Sequence, residues 1–157
     1  MDFEPGWAIL AGLVGGAVMA VILYMGNILM PQQMKMNLFM MLGTMVLPVG
    51  AAAFLMGAMV HAGMSVVFGL IHGGVFAALD IDSAEAGWGL LFGVAHWVVV
   101  GMALGMMPMM HPRMRSGEID EPGFYALRFP LMTAIGFLML HLVFGVIVGA
   151  LYGWWAG

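Results

Sequence analysis

The chain has 157 residues, of which 64% are hydrophobic and 8% are charged, and its net charge is −4. About a quarter of the residues in a soluble globular domain are charged, so this composition excludes that class and indicates an integral membrane protein. The absence of cysteine excludes disulfides and thiolate metal sites. Four basic residues are too few for a nucleic-acid-binding surface.

Four apolar segments are long enough to cross a bilayer as helices, which requires about 20 residues each. We predict them at residues 7–30, 50–79, 87–108 and 130–153. Apart from histidine, no acidic or basic side chain (Asp, Glu, Lys or Arg) lies between Lys35 and Asp80, between Glu85 and Arg113, or after Arg128. The sequence therefore predicts an all-α integral membrane protein, a four-transmembrane-helix bundle, with one membrane domain over residues 1–157.

The connections between these segments differ in charge. All the basic residues lie in the first and third connections: Lys35, Arg113, Arg115 and Arg128. The positive-inside rule predicts that these connections are cytoplasmic, with both termini outside. The tryptophans at 7, 88, 154 and 155 fall at the outer boundary, which indole rings prefer. We predict that residues 34–44 form an interfacial or re-entrant segment and that residues 111–129 form an aqueous loop.

The two halves of the chain share a pattern. Met59, His61, Gly69 and Gly73 recur 80 residues later at Met139, His141, Gly149 and Gly153, and Gly6, Trp7, Leu10 and Gly12 recur 81 residues later at Gly87, Trp88, Leu91 and Gly93. Fixed-period similarity is the signature of an internal repeat. We predict two tandem helix-pair repeats, residues 1–80 and 81–157, with His61 and His141 as counterparts that approach each other where spans two and four meet.

Small residues four positions apart allow helices to approach closely in a bilayer, and every span contains such a pair. The pairs are Gly12/Gly16, Gly69/Gly73, Gly89/Gly93, Gly101/Gly105, Gly145/Gly149 and Gly149/Gly153. Each pair predicts a tight contact between helices, with room for a flat cofactor or a lipid tail as the alternative.

Ionisable residues within a span are candidates for a functional site. His61, His141 and His96 are the candidate cofactor-binding residues, because they fall near mid-depth on spans two, four and three. A facing pair of histidines can ligate the iron of haem b, bind a transition metal such as copper, or carry protons. Alternatively, each imidazole is neutral and only forms hydrogen bonds that fix helix packing.

The chain contains 20 methionines. Thioethers are soft ligands that select copper(I), and the residues Met109, Met110, His111 and Met114 form a candidate metal set. Methionine is also a flexible apolar residue that fills irregular interfaces, and most of these side chains are predicted to serve packing.

The motifs of both halves resemble a family of small four-span prokaryotic membrane proteins of unknown function. The resemblance is carried by residues 12–19, by Met59 to His61 with residues 66–69, by residues 93–110, and by residues 141–145 with Tyr152 and Gly153. It covers nearly the whole chain. It implies the four-helix membrane fold in the cytoplasmic (inner) membrane of a prokaryote, and it brings no known activity, cofactor or site residue.

Three functions are compatible with these features. The first is a non-catalytic integral membrane subunit or accessory protein that packs against other membrane subunits, or against itself, within the lipid bilayer. No catalytic residue is predicted, because no nucleophile is paired with a base. The second is a membrane redox or metal-handling protein that binds haem b or copper through His61 and His141. A small pore or carrier ranks last, because the spans offer few polar residues.

Overall fold

The computed structural model describes residues 2–157, and its described part contains helices, short turns and no strand. The helices are α1 Pro5–Leu29, α2 Leu38–Gly43, α3 Ala51–Ala78, α4 Glu85–Met106, α5 Pro112–Arg115 and α6 Leu131–Ala156, with 3-10 turns at Met107–Met109 and Phe124–Ala126. α1, α3, α4 and α6 are each long and apolar enough to cross a membrane. The predicted all-α, four-helix membrane protein is therefore confirmed.

The two ends of the bundle differ in charge. α1 and α4 end on the side of the bundle where both connections that carry basic residues lie, and we call this side the basic end. We call the opposite side the acidic end. At the acidic end the rings of Trp7 and Trp155 lie 5.5 Å apart, and the Glu4 backbone N–H donates to the Tyr152 hydroxyl at 3.0 Å. The described N-terminal residues and the C-terminal end of the chain therefore meet there.

Glycines let the long helices approach closely in two antiparallel pairs. α1 crosses α3 at Gly12 and Gly69, where a Cβ added to Gly12 would lie 2.9 Å from the Gly69 Cα. α4 crosses α6 at Gly89 and Gly145, where a Cβ on Gly145 would overlap the carbonyl oxygen of Gly89. Such small-residue crossings are the usual means by which helices associate in lipid.

The four long helices lie in the spatial order α3, α1, α6, α4. The two pairs join through α1 and α6, because Gly15 of α1 leaves space for the side chains of Phe144 and Val148. α3 touches α6 over a short stretch, and it meets α4 through side-chain rings such as Phe68 and His96. The predicted meeting of spans two and four is therefore a minor contact. The main contact between the two halves of the chain is formed by spans one and four, which are α1 and α6.

The first connection turns back into the bundle. α2 packs along α3, where Gly57 lies against the backbone of Phe39 and Gly43 against that of Ala53. The Phe39 ring reaches to 5.6 Å from the ring of His61, ten residues or about 15 Å along α3 from its start. The first connection therefore packs against α3, and its assignment as an interfacial or re-entrant segment stays a prediction.

The third connection is only partly the aqueous loop that the sequence predicts. The acidic side chains of Glu118 and Asp120 are exposed, but the rings of Tyr125 and Phe124 fold back onto α4. These rings occupy the space beside Gly101 and Gly105. The prediction of a helix–helix contact at this glycine pair was wrong, because aromatic side chains of the third connection occupy the space beside both glycines instead.

Candidate functional site

Three of the five histidines line a cavity of about 60 Å³ in the centre of the bundle. His61 comes from α3, His96 from α4 and His141 from α6, and all three are buried. We call this space the central cavity. The structure thus brings together the three residues that the sequence analysis selected as candidate cofactor ligands.

Two of these imidazoles are held in a defined tautomer. Nε2–H of His61 donates to the Gly16 carbonyl of α1 at 3.1 Å, and Nδ1–H of His141 donates to the Phe137 carbonyl of its own helix at 2.7 Å. A carbonyl oxygen only accepts, so the bonded nitrogen carries the proton, and the other nitrogen of a neutral ring carries a lone pair. Nδ1 of His61 and Nε2 of His141 are therefore free to bind a ligand.

His96 connects the central cavity to a fourth histidine. Its ring centroid lies 4.8 Å from that of His141 and 5.7 Å from that of His72, and the ring stacks on Phe68 at 3.6 Å. Nδ1 of His96 and Nε2 of His72 find no hydrogen-bond partner among residues 2–157. Sequence reasoning did not select His72 as a ligand, although its spacing of eleven residues places it on the same face of α3 as His61.

Methionine thioethers also line the central cavity. Met19 of α1, Met36 of the first connection and Met64 of α3 line it together with Ser65 and aliphatic and aromatic side chains. The Ser65 hydroxyl donates to the His61 carbonyl at 2.8 Å, so it is engaged with its own helix. The sequence analysis did not single out these methionines as ligands, although Met64 follows His61 by one helical turn.

The size of the central cavity limits what it can hold. A cavity of about 60 Å³ has room for an ion or a few water molecules. It is well below the roughly 300 Å³ at which small-molecule pockets begin. A haem macrocycle does not fit between these helices as they stand, so the haem b hypothesis would require α3, α4 and α6 to separate.

The methionine-rich stretch at the basic end is arranged differently from the predicted metal set. Met109 and Met110 are each 73% exposed, whereas His111 and Met114 are buried. Nδ1 of His111 accepts from the Met114 N–H at 3.3 Å, and Nε2–H donates to the Met41 carbonyl at 2.9 Å. Both nitrogens are engaged, so this imidazole has no lone pair left for a metal.

Conventional metal ligands do not cluster in the described part of the chain. Within residues 2–157, no three histidine or acidic side chains lie close enough to hold a metal ion together. A metal in the central cavity would therefore need a thioether in addition to imidazole nitrogens.

A second cavity, of about 230 Å³, opens on the side of the bundle between α3 and α4. We call it the α3/α4 seam, and it is lined by Phe68, Ile71, His72, Phe92, Ala95, His96 and Val99. Ile71 is 50% exposed and Val99 is 58% exposed at its rim. The seam exists because α3 and α4 meet through rings, without the close backbone approach of the two glycine crossings.

Comparison with known proteins identifies no family for the chain. No family model, no curated protein and no solved structure matches it. Its function is therefore argued from its own residues.

Proposed function

We propose that the protein is a non-catalytic subunit or accessory protein of a larger membrane protein complex, and that a transmembrane helix of a partner subunit packs into the α3/α4 seam. The observation that carries this proposal is the incomplete closure of the bundle. α1 packs closely on α3 and on α6, and α4 packs closely on α6, whereas α3 and α4 leave an open cavity between them.

The lining of the α3/α4 seam suits a helix. Ala95 and Val99 lie one turn apart on α4 and face Ile71 of α3 across the seam. Small and β-branched side chains lose little rotamer freedom on packing and allow a second backbone to come close. Lipid tails solvate apolar side chains as well as a neighbouring helix does. The free energy of association would therefore come from van der Waals contact along this lining.

The remaining features support a non-catalytic role. The hydroxyl of Ser65, the serine within a span, is bonded to a backbone carbonyl, and the central cavity is lined by no acidic side chain that could pair with a histidine as an acid–base couple. The water-exposed parts of the chain are short connections at the basic end and one turn at the acidic end.

We further propose that the basic end faces the cytoplasm of a prokaryote, with both termini on the outer side. The distribution of lysine and arginine supports this orientation. The tryptophans at 7, 88, 154 and 155, which lie in the helical turns near the acidic end, support it independently.

An origin by duplication of one helix pair also belongs to this proposal, together with membership of the four-span family that the motifs resemble. The contacts at the glycine crossings support the duplication, because residues aligned between the two halves form corresponding contacts. Gly12 lies against Ser65 and Gly69 against Ala8 in the first pair, as Gly93 lies against Gly145 and Gly89 against Gly149 in the second.

Photo-crosslinking in native membranes tests the proposed partner helix. A photoreactive amino acid at Val99, on the rim of the seam, is expected to give one dominant crosslink to another membrane protein. Val94 is the matched control, because it is 38% exposed on the same helix and lies five residues, or about 140°, around from Val99. We expect it to crosslink mainly to lipid.

Two outcomes would contradict the proposed partner. Lipid adducts at both positions would mean that the α3/α4 seam holds acyl chains. A crosslinked product of exactly twice the mass of the chain would replace a partner subunit by a second copy of the same protein.

A further inference from the structure

We infer that the central cavity is a binding site for one soft monovalent metal ion, copper(I), held by the imidazoles of His61 and His141 and by the thioether of Met64. This inference does not depend on the proposed subunit role, because it concerns the interior of the bundle and not the α3/α4 seam. All three side chains line the same cavity of about 60 Å³.

The two imidazoles are prepared for metal binding by their hydrogen bonds. A histidine that ligates a metal usually donates its other ring N–H to a carbonyl or carboxylate, which fixes its tautomer and orientation. His61 does this through Gly16 of the neighbouring helix and His141 through Phe137. Each ring is also packed against an aromatic side chain, Phe39 for His61 at 5.6 Å and Phe137 for His141 at 4.6 Å.

A thioether is placed to join them. Met64 follows His61 by three residues, so both side chains project from the same face of α3 into the central cavity. Met19 and Met36 line the cavity from two other segments of the chain and supply further sulfur atoms. His96 lies directly beside His141, with ring centroids 4.8 Å apart, and limits the directions that the His141 ring can take.

The donor set selects the metal. Thioether sulfur with imidazole nitrogen is a soft set that favours copper(I), whereas magnesium and calcium require several oxygen ligands. No carboxylate lines the central cavity. A monovalent ion bound by neutral soft donors introduces one charge instead of two into this apolar site, where charge is costly. The volume fits an ion and excludes a macrocycle.

Anaerobic titration of the full chain in detergent with copper(I), against a chromophoric copper(I) chelator, tests the site. We expect one copper(I) per chain, with a sulfur scatterer beside nitrogen scatterers in the X-ray absorption spectrum. Met64→Leu, which nearly conserves side-chain volume, is expected to weaken binding by about tenfold or more and to remove sulfur signal. Met59→Leu is the matched control, because Met59 lies on the same helix and is 70% exposed.

Three results would overturn the inference. The first is a folded wild-type protein that does not compete with the chelator for copper(I). The second is a Met59→Leu variant that loses as much affinity as Met64→Leu. The third is retained affinity in Met64→Leu together with loss in a Met109→Leu, Met110→Leu double variant, which would place the metal on exposed methionines at the basic end.

Discussion

Replacing Gly145 by leucine is expected to lower the free energy of unfolding by about 3 kcal/mol, because the side chain would force α6 away from α4. A Cβ at this position would overlap the carbonyl oxygen of Gly89 and lie 2.9 Å from the Gly93 Cα. Both obstacles belong to the backbone of a long helix and cannot rotate aside. Thermal unfolding of the purified protein in detergent, followed by tryptophan fluorescence, measures the loss.

Gly63→Leu is the matched control for this substitution. Gly63 also lies within a long helix, α3, but nothing stands within 4 Å of an added Cβ, and the residue is exposed. We expect this variant to unfold at a temperature close to that of the wild type. Equal losses in the two variants would show that close approach at Gly145 is not what holds α4 and α6 together.

His111→Ala is expected to cost about 3 kcal/mol and to loosen the basic end of the bundle. The side chain is fully buried and joins the first connection to the third, through the Met41 carbonyl and the Met114 N–H. Its removal leaves the buried Met114 N–H without a partner, at a cost of about 1–3 kcal/mol, leaves the Met41 carbonyl only the Thr44 hydroxyl at 3.3 Å, and opens a void. Limited proteolysis should then cut both connections faster, and the unfolding temperature should fall.

A conservative variant separates the two bonds of His111. In His111→Asn, the shorter amide side chain can still cap α5 by accepting from the Met114 N–H, as asparagine does well, but it does not reach Met41. We therefore expect a smaller loss than in His111→Ala. If proteolysis and unfolding of His111→Ala match those of the wild type, His111 does not tie the connections together.

The long helices could be predicted because lipid imposes a simple requirement of length and apolarity. The predicted first span, 7–30, differs from α1 by two residues at its start and one at its end. The lateral order of the helices could not be predicted, because a face that meets lipid and a face that meets another helix are equally apolar. Gly89 and Gly101 illustrate this, since both belong to glycine pairs on α4 but only Gly89 meets α6.

The residues of the central cavity could be predicted only in part. His61 and His141 stand out because the predicted repeat aligns them and because histidine is rare in a span. Met64 does not stand out among 20 methionines, and only the fold shows that it faces the same cavity. His111 lies in a methionine-rich stretch that predicts a metal set, but capping a short helix uses a nitrogen that metal binding would need.

Native mass spectrometry of the protein extracted under mild conditions from its own membrane is the most direct test of the proposed subunit role. The chain of 16.8 kDa is predicted to leave the membrane in a heavier particle that contains a second membrane protein. Val99→Trp, which fills the α3/α4 seam from its rim, is predicted to release the chain from that particle. A wild-type protein that emerges as a single chain would contradict the account.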